Sequence, residues 1–300
     1  MPCPIKEKEQ KQTYRIPYTL NIKPENRNLK PETLTPHNMT MGWNIFPMWA
    51  AVVMLLATTG ATIAVLKKDR NLWAIALMLL GILGMAGFIA MLWMVLERPP
   101  LRTMGETRLW YSFFLLVAGL FTYYRWQYRW IMLFSTVLAG VFIIINIAKP
   151  EIHDHTLMPA LQSVWFVPHV SVYMFSYSLL GCATLLSTVA LARRNSNMDM
   201  AIEKLLYAGL AFLSIGMLTG SLWAKEAWGA YWSWDPKESW AVATWALYLV
   251  ALHLAPSVMN SRHRYLYHTT IILGFLALQM CWYGINYLPS AETSIHTYNQ

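Results

Sequence analysis

Eight stretches of this chain run for about 17–25 residues with almost no charge inside them, the length needed to cross roughly 30 Å of hydrocarbon. They lie near Trp43–Leu66, Leu72–Leu96, Leu109–Tyr124, Trp130–Ala148, Val167–Ala192, Leu205–Ala224, Glu238–Pro256 and Tyr267–Leu288. In lipid the backbone must satisfy its own hydrogen bonds, so stretches of this kind are helices. Composition agrees: 56% of the 300 residues are hydrophobic and only 13% are charged, where a soluble domain carries about 25% charged residues. The expected fold is therefore an all-α, polytopic integral membrane bundle of about eight transmembrane helices.

A net charge of +8 would suit a nucleic-acid partner if it formed a surface patch. Instead the basic residues sit in short clusters at span ends: Lys67, Lys68 and Arg70; Arg125 and Arg129; Arg193 and Arg194; Arg262 and Arg264. That is the pattern of cytoplasmic turns, and it argues against nucleic acid. The clusters place loops one, three, five and seven in the cytoplasm. Loops two, four and six and the tail after Leu288 then face outward, as does the N-terminus. Residues 1–42 are polar and proline-rich, lack the pattern of a secretory signal, and read as an extra-membrane arm with a short β-like stretch at Tyr14–Ile22. Residues 43–288 form the transmembrane domain and residues 289–300 an outward tail. Cys3, Cys182 and Cys281 include no Cys-x-x-Cys pair, so thiol redox chemistry by this chain is not expected.

The stretch that carries chemical information is Trp228-Gly-Ala-Tyr-Trp-Ser-Trp-Asp-Pro-Lys-Glu-Ser-Trp240, in outward loop six, residues 225–238. Its second half is a helix start: Asp235 as N-cap, Pro236 at the first helical position, and Glu238 completing a capping box. Its first half crowds Trp228, Tyr231, Trp232 and Trp234 into seven residues. Aromatic residues belong at membrane interfaces, but belt residues are scattered singly at helix ends. Packed into one loop with Gly229, they offer several flat, rigid, apolar faces on one side of the membrane. Such a surface suits a large planar hydrophobic ligand better than a sugar or an ion.

This segment resembles the tryptophan-rich WWD signature of the haem-handling proteins of cytochrome c maturation. Its Asp-Pro-Lys-Glu-Ser-Trp ending is similar to the CcsA (ResC) branch of the system II pathway. Val167-Pro-His-Val-Ser-Val-Tyr-Met-Phe-Ser-Tyr177 resembles that family's histidine helix. Tyr283-Gly-Ile-Asn-Tyr287 with Ser294-Ile-His-Thr-Tyr298 resembles its C-terminal end. In the outward loop after span two, where the family often has Asn-x-Tyr-Glu-Ser, this chain reads Met104-Gly-Glu-Thr107.

The resemblance implies that His169 and His296, both on the side of the tryptophan loop, are axial ligands to external haem iron. Trp228, Tyr231, Trp232, Trp234 and Asp235 would form the surrounding haem-binding loop. Without the resemblance, a histidine near a helix end reads as an interfacial or capping residue. His253 falls inside span seven, about 27 Å along the helix from Asp235. An ionisable residue at that depth marks a functional site, and the resemblance makes it a ligand for haem within the membrane; otherwise it caps the helix near Pro256. His263 and His268 read as solvated or interfacial, and the His153/His155 pair as a weak metal motif. His37 stays unassigned. Haem propionates call for nearby positive charge, which Lys225, Lys237, Arg102 or Arg108 in outward loops could supply.

The family implies a haem-handling subunit of a cytochrome c synthase (haem lyase) in a bacterial cytoplasmic membrane. It would present haem b outside for thioether attachment to the Cys-x-x-Cys-His segment of apocytochrome c, with a ResB-like (CcsB) membrane subunit as partner. No catalytic side chain is singled out. The alternative is a haem exporter whose partner performs ligation. The topology is checked by cysteine labelling in intact cells: Cys at position 231 is expected to react with an impermeant maleimide, and Cys at position 263 to stay unlabelled.

Overall fold

The computed structural model describes residues 43–67, 70–149, 161, 163–193, 196–255 and 264–288. The expected N-terminal arm and its β-like stretch, the tail, and His37, His153, His155, His263 and His296 lie outside the described residues. Among those described there are eight α-helices. We label them α1 (Phe46–Leu66), α2 (Leu72–Leu96), α3 (Met104–Trp126), α4 (Arg129–Ala148), α5 (Phe166–Arg193), α6 (Asp199–Trp228), α7 (Pro236–His253) and α8 (Arg264–Trp282). A 3₁₀ turn over Gly284–Tyr287 follows α8. No strand occurs among the described residues.

Five helices, α1, α2, α4, α5 and α6, are long and apolar enough to cross a membrane. The chain is a polytopic helical membrane protein. The side-chain distribution is that of a molecule in lipid rather than water. In α1 the buried positions are mostly small (Ala50, Ala57, Gly60, Ala61, Ala64), whereas Met48, Val52, Leu55 and Leu66 are exposed. Without a hydrophobic drive between helices, close backbone packing holds them together, and small residues permit it.

α3 begins five residues before the expected third span. Thr103 and Glu106 form a full capping box, which lets a polar first turn stay helical. Glu106 is fully buried. It takes both guanidinium N–H groups of Arg98 at 2.8 and 2.9 Å, plus the backbone N–H groups of Arg102 and Thr103. Met104-Gly-Glu-Thr107 is thus the clamp that turns α2 into α3.

The helices pack in two groups. α1 lies on α2 and α4, and α3 on the same two; α6 lies on α5 and α7, and α8 on the same two. α5 joins the groups by packing against α3 and α4. One end of the bundle gathers Phe166 on Trp223, the Cys281 thiol on the Lys237 carbonyl, and Arg108 on Tyr283. The other end is tied by Arg129 to the Lys67 carbonyl, Tyr128 to the Asn197 carbonyl, and Arg264 to Asp199.

Removing one partner of a buried ion pair strands the other, at a cost of about 3–5 kcal/mol. Glu106→Ala is therefore expected to lower the thermal midpoint of the detergent-solubilised protein far more than Glu97→Ala at the same turn.

Candidate functional site at the tryptophan end of the bundle

α6 ends at Trp228 because Gly229 takes the left-handed conformation, φ +84°, and its N–H caps the Lys225 carbonyl. A Cβ there would meet nothing within 4 Å, so the requirement is conformational, not one of space. Six residues later the next helix opens with the predicted capping box. The Asp235 carboxylate accepts from Lys237 N–H at 2.9 Å. Glu238 accepts from the backbone N–H groups of Ser233 and Asp235 at 2.8 and 3.1 Å. Both carboxylates are buried. Asp235 thus shapes the loop by fixing where α7 begins.

Held between these caps, the loop turns its rings outward. Trp228, Tyr231 and Trp234 are 37%, 55% and 70% exposed. Trp232 is half-buried and stands edge-on to Trp234, 5.9 Å between ring centres. Trp228 meets Trp223 edge-on in the same way. Trp234 has φ +58°, a left-handed backbone that a bulky residue adopts only under constraint. The Lys225 ammonium donates to the Gly229 carbonyl at 2.8 Å and lies over the Tyr231 ring.

His169 stands in the first turns of α5, next to this loop. Its ring stacks on the buried Trp223 at 5.6 Å and 14° and lies 4.6 Å from the Tyr173 ring. Nδ1 is 2.8 Å from the Gly216 carbonyl oxygen. A carbonyl only accepts, so Nδ1 carries the proton, and the lone pair of the neutral ring lies on Nε2. A backbone carbonyl holding the other nitrogen in this way orients many metal-binding histidines. Two glycines make the fit possible: a Cβ on Gly216 would fall 2.3 Å from the Tyr173 ring, and one on Gly220 2.6 Å from the His169 ring. In the sequence, Gly216-x-x-x-Gly220 within an apolar run marks only a close helix contact, not the residue that fills it.

His253 is the last residue of α7, so it sits at the far end of the bundle from the tryptophan loop. It is exposed, with Nδ1 2.8 Å from the Leu249 carbonyl. The structure does not bring His169 and His253 together. His268, expected to be solvated or interfacial, is instead buried within α8, 1% exposed, with Nε2 3.4 Å from Asp199. Arg264 pairs with the same carboxylate at 2.7 Å. The apolar run of span eight begins one residue before His268, so its polar partner on α6 was invisible to a local reading.

Of the four cations expected in outward loops, only Arg102 lies between helices. Lys225 ends α6, Lys237 opens α7, and Arg108 is buried in the second turn of α3. Arg102 is half-buried beside Arg98, and both effects lower its pKa from the usual guanidinium value.

Residues 100–291 match the family model described as Cytochrome C assembly protein. Among curated relatives, the Cytochrome c biogenesis protein CcsA of Cuscuta reflexa is 28% identical, covering 70% of this chain and 80% of its own. That of Oenothera biennis is 26% identical, covering 73% and 86%. Among solved structures, Cytochrome c Heme Lyase CcmF superposes with a TM-score of 0.61 at 19% identity, over 86% of this chain and 48% of that one. At that identity the likeness speaks for the fold.

The seating of His169 is checked by Gly220→Ala. Diethyl pyrocarbonate should modify His169 slowly in the unmodified sequence and several-fold faster once the added methyl displaces the ring. Equal rates would mean that the α5–α6 contact yields instead.

Proposed function

Because the chain belongs to the Cytochrome C assembly protein family, we propose that it is the haem-handling subunit of a system II cytochrome c synthase. It receives haem b and presents it on the outward side of its membrane to apocytochrome c. The observation that carries this reading is the imidazole of His169, fixed by the Gly216 carbonyl and the Trp223 ring beside a loop of exposed aromatic faces. His169 and His296 are the proposed axial ligands on that side.

The substrate supplies two vinyl groups, and the apocytochrome supplies two thiols. Each S–H adds across a C=C bond, sulfur to one carbon and hydrogen to the other, without net oxidation. The chain's residues have three tasks: holding the iron by the histidines, covering the ring faces with Trp228, Tyr231, Trp232 and Trp234, and keeping the vinyl edge toward the incoming Cys-x-x-Cys-His segment. None of this needs an acid–base or nucleophilic side chain from the protein. A ResB-like (CcsB) subunit is the proposed partner, and the second ligand at His253 would come from it.

A specific observation also supports the exporter reading. His253 is exposed at the opposite end of the bundle, where a haem-transport route through the membrane would begin. Covalent attachment by the purified complex to added apocytochrome decides between the two: attached haem supports the synthase, and haem release without attachment supports the exporter.

His169→Ala is expected to lower bound haem and cytochrome yield, with partial rescue by added imidazole, which refills a vacated ligand position but cannot mend a misfolded helix. Full burial of an aromatic ring is worth about 2–3 kcal/mol, so Trp232→Ala or Trp234→Ala should weaken haem binding roughly 30- to 150-fold. Asp235→Ala, which loses an N-cap worth about 1 kcal/mol, should reduce folded protein more than haem per folded molecule. Undiminished haem stoichiometry in every tryptophan variant would leave the loop as an interfacial belt.

A further inference from the structure

At the end of the bundle opposite the tryptophan loop, four cations have no carboxylate partner among the described residues. Lys67 caps α1, Arg70 stands two residues before α2, Arg125 lies in the last turn of α3, and Arg129 opens α4. None of them forms an ion pair there, whereas Arg98 and Arg264 each hold a carboxylate. Asp199, at the same end, is taken up by Arg264 and His268. Lys68 and Asp69, of opposite sign, lie outside the described residues.

These side chains are gathered in one corner. Arg129 Nη1 donates to the Lys67 carbonyl at 3.0 Å, and the Asn71 backbone N–H donates to the Tyr123 hydroxyl at 3.3 Å. The α1–α2 and α3–α4 turns, distant in sequence, are thereby pinned together. The Arg70 guanidinium carbon lies 5.0 Å from the centre of the Tyr124 ring. Tyr124 shares a face of α3 with Phe121 and Arg125, by their helical spacing. Phe121 and Tyr124 are exposed, as are Arg70 and Arg125. Open positive charge at the helix ends thus adjoins a strip of open rings that continues into the span.

We propose that this corner binds an anionic phospholipid of the surrounding leaflet. The phosphate supplies the counter-charge that the chain itself withholds, and the acyl chains lie along Phe121 and Tyr124. A zwitterionic lipid brings its own cation to the same place, and a soluble anion has no use for the rings. Marking topology needs only that cations be present in a turn; it does not require two turns to be tied together around them. Because interfacial Arg, Lys, Trp and Tyr residues set how helices sit in a bilayer, a lipid held here fixes the depth of α1–α4.

The test is titration of the full chain in detergent micelles with phosphatidylglycerol or phosphatidylcholine of the same acyl chains, bound lipid being counted by native mass spectrometry. A basic side chain near an anionic surface contributes about fivefold in affinity. The unmodified sequence is therefore expected to hold phosphatidylglycerol at least about 10-fold more tightly than phosphatidylcholine. Arg70→Gln and Arg125→Gln should each remove about fivefold of the phosphatidylglycerol affinity and leave that for phosphatidylcholine unchanged. Lys149→Gln, which removes an exposed charge at the other end of α4, should change neither. The comparison of the two lipids on the unmodified sequence needs no variant to fold. If they bind it alike, the site is overturned. It is also overturned if Lys149→Gln weakens phosphatidylglycerol as much as Arg70→Gln does, since the attraction would then belong to net charge. If glycerol phosphate, the headgroup without its chains, displaces phosphatidylglycerol at equal concentration, the corner holds a soluble anion and the lipid assignment falls.

Discussion

Between α5 and α6 the spacing is set by glycine. His169 Nδ1 reaches the carbonyl of Gly216, and seven residues further along α5 the Ser176 hydroxyl donates to the carbonyl of Gly209 at 2.7 Å. Seven forward on one helix answers seven back on the other, the register of an antiparallel pair with near-heptad spacing. A Cβ on Gly209 would fall 2.6 Å from Leu180, just as those on Gly216 and Gly220 would strike Tyr173 and His169. The missing side chains on α6 are filled by rings and branches from α5. In lipid, where apolar burial gives no drive between helices, this close approach and these two hydrogen bonds are what a helix pair has to work with. Everything at the tryptophan end inherits its position from this contact: the Trp223 that stacks on His169, the Trp228 that ends α6, and the loop that follows.

Polar groups inside the bundle serve as ties. Glu106 with Arg98 closes one end, and Asp199 with Arg264 and His268 the other. Each carboxylate receives two or more partners, as burial demands. Their placement near helix starts leaves the middle of α5 free to be surrounded by apolar neighbours. His253 is outside this scheme. It lies at the exposed end of α7, a helix length of about 27 Å from Asp235. A ligand held by His169 at one end cannot be the one held by His253 at the other. On the proposed reading, haem is bound twice, in sequence, by surfaces that share no side chain.

Legibility in the sequence followed the range of the interaction. The eight helices were readable because each is announced by its own apolar run. The Asp235–Glu238 box was readable because all its partners lie within five residues. The same locality should have revealed the start of α3, since Thr103 and Glu106 form the same motif; the charges of Arg102 and Arg108 masked it by cutting the apolar run short. What no local reading could give is a partner far along the chain. His268 looked like a loop residue because Asp199 is on another helix. Arg108 looked like a loop cation because Tyr283, 175 positions away, is what buries it. The seat of His169 depends on two glycines more than forty residues later, and an unremarkable Gly-x-x-x-Gly says nothing of what fills it.

The tryptophan loop is where local and distant constraints meet. Its ends are fixed by the left-handed Gly229 and by the capped Asp235, so seven residues must carry the chain from one helix to the next with little freedom left. Trp234 takes up the remaining mismatch as a positive φ. A residue of this size rarely tolerates that conformation, and glycine or asparagine would relieve it. An interfacial belt gives no reason for the strain, since an indole at the headgroups gains as much from a relaxed backbone. A platform does: the strained turn directs the Trp234 ring away from the bundle, edge-on to Trp232, leaving 70% of the residue exposed. Holding large apolar rings in place before anything binds them lowers the ordering cost at the moment of binding. The caps stabilise the helices that make this possible, so the short-range grammar of helix termini and the geometry of the proposed haem platform rest on the same few residues.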